Sequence, residues 1–149
     1  MKKKCANVRE GFTLVEVLIV ISIITILVLL ATSYYRGQIF KGHDAVRKGG
    51  LKELQVALEE YEKDNNCYPD TQLTTCDPGV GLKPYTNKIP CDPQTGESYF
   101  YETDGTVCSK WYRLYTVLVS ESDTDIIDPG VGPSGAYNYY VSSPNAPNF

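Results

Sequence analysis

Hydrophobic and polar positions divide the chain into contrasting halves. From Phe12 to Ala31 twenty residues run without a glycine, a proline or any charge except Glu16. That is about the length an α-helix needs to cross a bilayer core of about 30 Å at 1.5 Å per residue. Further on, Leu51, Leu54, Leu58 and Tyr61 recur at three- and four-residue steps, with Glu53, Glu59, Glu60, Glu62 and Lys63 outside the stripe. This periodicity predicts an amphipathic helix whose apolar face rests on the protein's own core. Residues 12 to about 64 therefore read as one long helix or two nearly continuous ones. Gly37, Gly42, Gly49 and Gly50 interrupt it, each costing about 1 kcal/mol relative to alanine, so bending or local melting is expected there. The helix should stop at KDNNCYPD, where Asn65 and Asn66 suit a C-terminus and Pro69 blocks continuation.

Beyond it the pattern changes to a Pro-, Gly-, Thr- and Asp-rich loop and then to strand-like runs. SYFYET from Ser98 and KWYRLYTVLV from Lys110 are two strand candidates, with Asp104 and Gly105 as the hairpin turn between them. AYNYYV from Ala136 to Val141 supplies a third. One helix followed by three antiparallel strands is an α+β arrangement.

About 85 residues of head form a small core, for which covalent staples are expected. Cys67, Cys76, Cys91 and Cys108 all follow the apolar segment, while Cys5 stands alone before it. With no C-x-x-C pair and gaps of nine, fifteen and seventeen residues, disulfides are a better reading than zinc. Four cysteines allow three pairings; the nearest-neighbour expectation is Cys67 with Cys76 and Cys91 with Cys108. Disulfides imply an oxidising compartment, which fits a membrane segment in front of the head. The formal charge of −4 argues against a broad nucleic-acid footprint. The basic residues gather between Arg36 and Lys52 and read as a solvated or headgroup-level collar where the helix leaves the membrane.

Glu16 is the anomaly. A carboxylate within a membrane helix costs about 2.5 to 3.5 kcal/mol and calls for a partner. Around it, REGFTLVEVLIVISII resembles the N-terminal signature of class III signal peptides in type IV pilins and type II secretion pseudopilins. LKELQVALEEYEKDNNCYPD is similar to the helix end of major pseudopilins, and IPCDPQTG, with Pro90, Asp92 and Pro93, to the loop before their sheet. The resemblance implies a pilin-like α+β fold with its helix packed on a small three-stranded sheet. It also implies a leader, residues 1–11, cut between Gly11 and Phe12, and N-methylation of the new terminus. Then follow a membrane or filament-core helix (12–35), an amphipathic helix (36–66) and a β head (67–149). Removing the leader's four basic and one acidic side chains takes the side-chain charge from −4 to −7. The implied partners are copies of the chain itself, the prepilin peptidase, an inner-membrane assembly platform and minor pilins or pseudopilins. The precursor would sit in the cytoplasmic membrane with its N-terminus inside, and the filament would be periplasmic or extracellular.

Cleavage gives Glu16 a physical partner. The freed amine of Phe12 is a second costly charge, four residues or about 6 Å along the helix from the carboxylate. A neighbouring subunit shifted by that much pairs its amine with this Glu16. Two alternatives stand beside this: Glu16 snorkels to the headgroups, or the segment is an ordinary secretory signal cut after the small residues Ala31, Thr32 and Ser33. The latter would release a soluble, binding or adhesive, disulfide-rich domain, and the same segment left uncut would be a plain membrane anchor for it. The chain also departs from the family: where many members carry Gly and Pro in the helix, it has Thr25 and Ser33.

ESDTDIIDPG places Glu121, Asp123, Asp125 and Asp128 together, hard oxygen ligands that suit calcium. Major pseudopilins hold calcium in a similarly placed loop, so the resemblance implies a structural calcium; a solvated acidic turn is the alternative. No cofactor is required. The only histidine, His43, lies in the helix, which removes a Ser-His-Asp or Cys-His centre from the head, so no enzymatic role is expected.

Overall fold

The structure, a computed structural model, describes residues 11–70, 76 and 82–148, with Ser33, Tyr34 and Arg36 described in their backbone alone. Residues 1–10 of the expected leader, with Cys5, and most of the loop between Asp70 and Leu82 lie outside the described residues. The chain forms two compact units, Met1–Gln38 and Ile39–Phe149. A single helix, α1 (Leu14–Asn65, 52 residues), runs from the first into the second.

In the first unit α1 begins behind Thr13, whose hydroxyl accepts the Glu16 N–H at 3.2 Å. Thr13-x-x-Glu16 is the spacing of a capping box. The apolar residues from Leu14 to Leu30 are all exposed. The hydroxyl side chains among them are satisfied within the helix: Ser22 and Thr25 donate to the carbonyls of Leu18 and Ile21 at 2.8 and 2.7 Å. A helix whose hydroxyls turn back on its own backbone can sit in hydrocarbon without unpaired donors. It is long and apolar enough to span a membrane, with a mean hydropathy of 3.1 over its best window.

The expected melting at the glycines does not occur; α1 is unbroken through Gly37, Gly42, Gly49 and Gly50. In the second unit tertiary burial outweighs the propensity cost. Leu51, Leu54, Ala57 and Leu58 are buried. Gly50 serves close approach, since a Cβ there would come within 3.1 Å of the Tyr99 hydroxyl and 3.2 Å of Pro90. The helix ends as the sequence predicts. Asn66 adopts a left-handed conformation (φ 57°) and its N–H closes on the Glu62 carbonyl at 2.7 Å.

Three short strands, β1 (Phe100–Thr103), β2 (Tyr112–Thr116) and β3 (Tyr139–Ser142), form an antiparallel sheet in the order β1-β2-β3. Tyr101, Leu114 and Val141 stand in register across it and, with Tyr112, pack in one core with Leu51, Leu54 and Leu58. Tyr112 and Tyr68 each donate a hydroxyl to Glu59 at 3.1 Å. On the opposite face Tyr115 meets Phe100, Tyr137 and Tyr140 with ring centroids 5.4 to 6.0 Å apart. Aromatic layers on both faces account for the abundance of tyrosine. The β1–β2 connection is wider than the two-residue hairpin expected at Asp104 and Gly105. Asp104 organises it by accepting from the Thr106 N–H at 3.0 Å and the Lys110 N–H at 2.8 Å.

Candidate functional site

The N-terminal processing and assembly residues read from the sequence stand at the helix start. Gly11 and Phe12 precede the first turn, Phe12 is 81% exposed, and Glu16 lies within that turn. An amine created at Phe12 would lie two residues ahead of Leu14, where α1 begins, and one ahead of Thr13, whose hydroxyl accepts the Glu16 N–H.

The head unit grips its segment of α1 through charges that the periodicity did not reveal. Asp44, 1% exposed, accepts from the Val119 N–H at 3.0 Å, the Ser120 N–H at 2.7 Å and Arg47 Nη1 at 2.7 Å. Arg47 also donates to Asp92 Oδ2 at 2.6 Å, Asp92 Oδ1 at 3.1 Å and Gln94 Oε1 at 3.1 Å. Asp92 in turn accepts the Gln94 and Thr95 N–H groups at 2.8 and 3.0 Å, an Asx turn that shapes the CDPQTG loop. Burial works against the Asp92 anion. The Arg47 hydrogen bond and those two backbone donors outweigh it and hold its carboxyl down at about 2. Arg47 is therefore an internal anchor, 2% exposed, which corrects the collar reading. The i, i+3 spacing of Asp44 and Arg47 was the one signal in the sequence.

The acidic residues of the 121–128 loop do not converge on a common point. Lys48 Nζ lies 2.7 Å from Asp123 and 2.6 Å from Asp125, and 5.5 Å from the centre of the Tyr139 ring. Glu121 and Asp128 line a separate surface groove beside Ile126 and Tyr137. Among the described residues no group of three or more His, Cys, Asp or Glu side chains is placed to hold a metal ion. The hydrogen bond from Lys48 holds the Asp123 carboxyl below its ordinary range.

Cys76 is joined to Cys91 with their Cα atoms 5.1 Å apart, while Cys67 and Cys108 are unlinked. This corrects the nearest-neighbour pairing. Ser98 pairs with Cys91 in an isolated bridge and its hydroxyl accepts the Cys76 N–H at 2.9 Å. One residue thus brings together two cysteines that sequence distance kept apart.

Residues 7–32 match the prokaryotic N-terminal methylation motif. A type II secretion system core protein G of Pseudomonas aeruginosa is 32% identical over 109 residues, 66% of this chain and 76% of the relative. A core protein G of Aeromonas hydrophila is 34% identical over 86 residues, 58% of this chain and 55% of that protein. A fimbrial protein of Moraxella nonliquefaciens is 28% identical over 120 residues, 77% and 72% of the two chains. No solved structure is significantly similar. The helix-on-sheet head supplies the fold and the methylation motif the processing signal; with this identity over most of a relative, the chain belongs to the type IV pilin and type II secretion pseudopilin family of filament subunits.

Proposed function

We propose that the protein is a subunit of a type II secretion pseudopilus, inserted as a membrane precursor, cut between Gly11 and Phe12, and stacked through residues 12–35. The observation that carries this is the fully exposed apolar half of α1 directly behind the methylation motif. It is a surface that water cannot leave uncovered, and lipid or neighbouring copies of the helix can cover it in turn. Likeness to core protein G from several bacteria favours secretion; the likeness to a fimbrial protein favours the second reading, a type IV pilus. The partners are other copies of the chain, the prepilin peptidase, the membrane platform and minor pseudopilins, and the role is structural.

Two measurements test this. In a deletion strain, secretion into the medium should fall and return on complementation, while the mature chain should begin at Phe12 by N-terminal mass spectrometry. Long surface fibres with unaffected secretion would replace the pseudopilus by a pilus. A chain beginning at Tyr34 would make it a secreted domain instead.

For the acidic loop the reading is that Lys48 supplies the positive charge. Its ammonium contacts the Asp123 and Asp125 carboxylates, and an exposed pair of this kind contributes about 0 to 1 kcal/mol. The melting temperature of the full chain in detergent should not differ between millimolar calcium and chelator, whereas Lys48→Met should acquire calcium dependence. A rise with calcium in the unaltered chain would restore the structural ion, bound with displacement of Lys48.

A further inference from the structure

Cys67 and Cys108 are the two described cysteines outside the Cys76–Cys91 link. Cys67 follows Asn66, the left-handed residue just past the end of α1, and Cys108 lies in the loop leading into β2. Between them, Tyr68 and Ser109 form an isolated antiparallel bridge, with the Tyr68 N–H donating to the Ser109 carbonyl at 2.8 Å. Both residues are buried, at 2% and 0% exposure, so the frame is rigid. In that register Cys67 lies opposite Lys110, and Cys108 is its diagonal neighbour on the same face. The Cys108 thiol lies near enough to that of Cys67 to raise its pKa. Lys110 Nζ sits 4.0 Å from Cys108 Sγ and 3.2 Å from the Asn66 carbonyl.

We propose that Cys67 and Cys108 form a second disulfide, which ties the end of α1 to the β1–β2 loop and encloses the Cys76–Cys91 link in a nested pair. Cys108 is exposed and Cys67 half-buried, which sets the order of events. Cys108 gives up its proton to solvent, and its thiolate, with Lys110 Nζ 4.0 Å away, attacks the disulfide of a dithiol–disulfide oxidant. One oxidant thiolate leaves and a mixed disulfide forms. Cys67 gives up its proton to solvent and attacks Cys108 Sγ, and the second oxidant thiolate leaves. The oxidant gains two electrons, and its two thiolates take up protons from solvent. The neighbouring Cys108 thiol, with burial second, raises the Cys67 thiol above its ordinary range, consistent with a resolving role. The link is independent of which filament the subunit joins.

The test uses the full chain in detergent, treated with oxidised glutathione, alkylated before denaturation and digested without reduction. A protease cutting before aspartate separates the four head cysteines, because Asp64, Asp70, Asp77, Asp92 and Asp104 punctuate the segment. The expected result is peptide 64–69 linked to 104–122 and peptide 70–76 linked to 77–91. In Cys108→Ser the second pair should persist and Cys67 should be alkylated or carry glutathione. Alkylation of both Cys67 and Cys108 after oxidation would overturn the proposal, as would linkage of either to Cys76 or Cys91.

Discussion

Glu16→Ala is expected to abolish filament assembly while leaving the subunit membrane-inserted and cleaved. In the single subunit, alanine removes a carboxylate whose presence in hydrocarbon costs about 2.5 to 3.5 kcal/mol, so insertion should be as good or better. The helix start loses little. The Thr13 hydroxyl still accepts the backbone N–H of residue 16, and even a whole N-cap is worth about 0.5 to 2 kcal/mol. In the filament the balance reverses: each Phe12 amine then lies in a low-dielectric contact without its counter-charge. Stranding one member of a buried pair costs about 3 to 5 kcal/mol, and the loss recurs at every contact along the polymer. The size of that difference separates a register device from a capping residue. Filament yield and N-terminal mass should be measured in the same strain, because failed cleavage would mimic failed assembly. A correctly cleaved Glu16→Ala subunit that polymerises normally would show that the carboxylate only snorkels or caps.

The parts of this molecule that were legible in the sequence are those governed by local periodicity. The membrane-length apolar run, the Leu51–Leu54–Leu58 stripe and the stop at Asn66 each follow from neighbours within a few residues, and the structure places them accordingly. The bond from the Glu16 N–H to the Thr13 hydroxyl is equally local. What local reasoning missed depends on contacts between distant segments. Lys48 meets Asp123 and Asp125 across separations of 75 and 77 residues, and Arg47 meets Asp92 across 45. On a helix, basic residues near a membrane exit look alike whether they face water or a carboxylate brought in by a later loop. The glycines misled for the related reason that helix propensity is small beside packing. Gly50 is placed so close to Tyr99 and Pro90 that an added Cβ would lie 3.1 to 3.2 Å from them, a proximity that only the folded head reveals.

Asp44 is the residue whose loss should destabilise the head most. Its carboxylate meets the Val119 and Ser120 N–H groups and Arg47 at once, and it is almost fully enclosed. Asp44→Ala would leave two backbone donors without their acceptor, each costing about 1 to 3 kcal/mol. Arg47 would keep only its Asp92 and Gln94 contacts. A total of about 3 to 5 kcal/mol is expected, a large part of what a small domain has. It should appear as a lower melting temperature of the full chain in detergent and as faster amide exchange at Val119 and Ser120. Asp44→Asn, which retains one acceptor oxygen, should recover part of the loss. The same network sets an acid limit. The Asp92 carboxyl is held at about 2 against an ordinary 3.8, so its folded value is the lower one. Its contribution, about 2 kcal/mol, is therefore present above about pH 4 and lost as the pH falls towards 2. Replacing Arg47 with methionine should flatten that stretch of the stability curve. A melting temperature for Asp44→Ala within a degree or two of the unaltered chain, with unchanged exchange at Val119 and Ser120, would mean that the 118–120 segment is held by its apolar contacts alone.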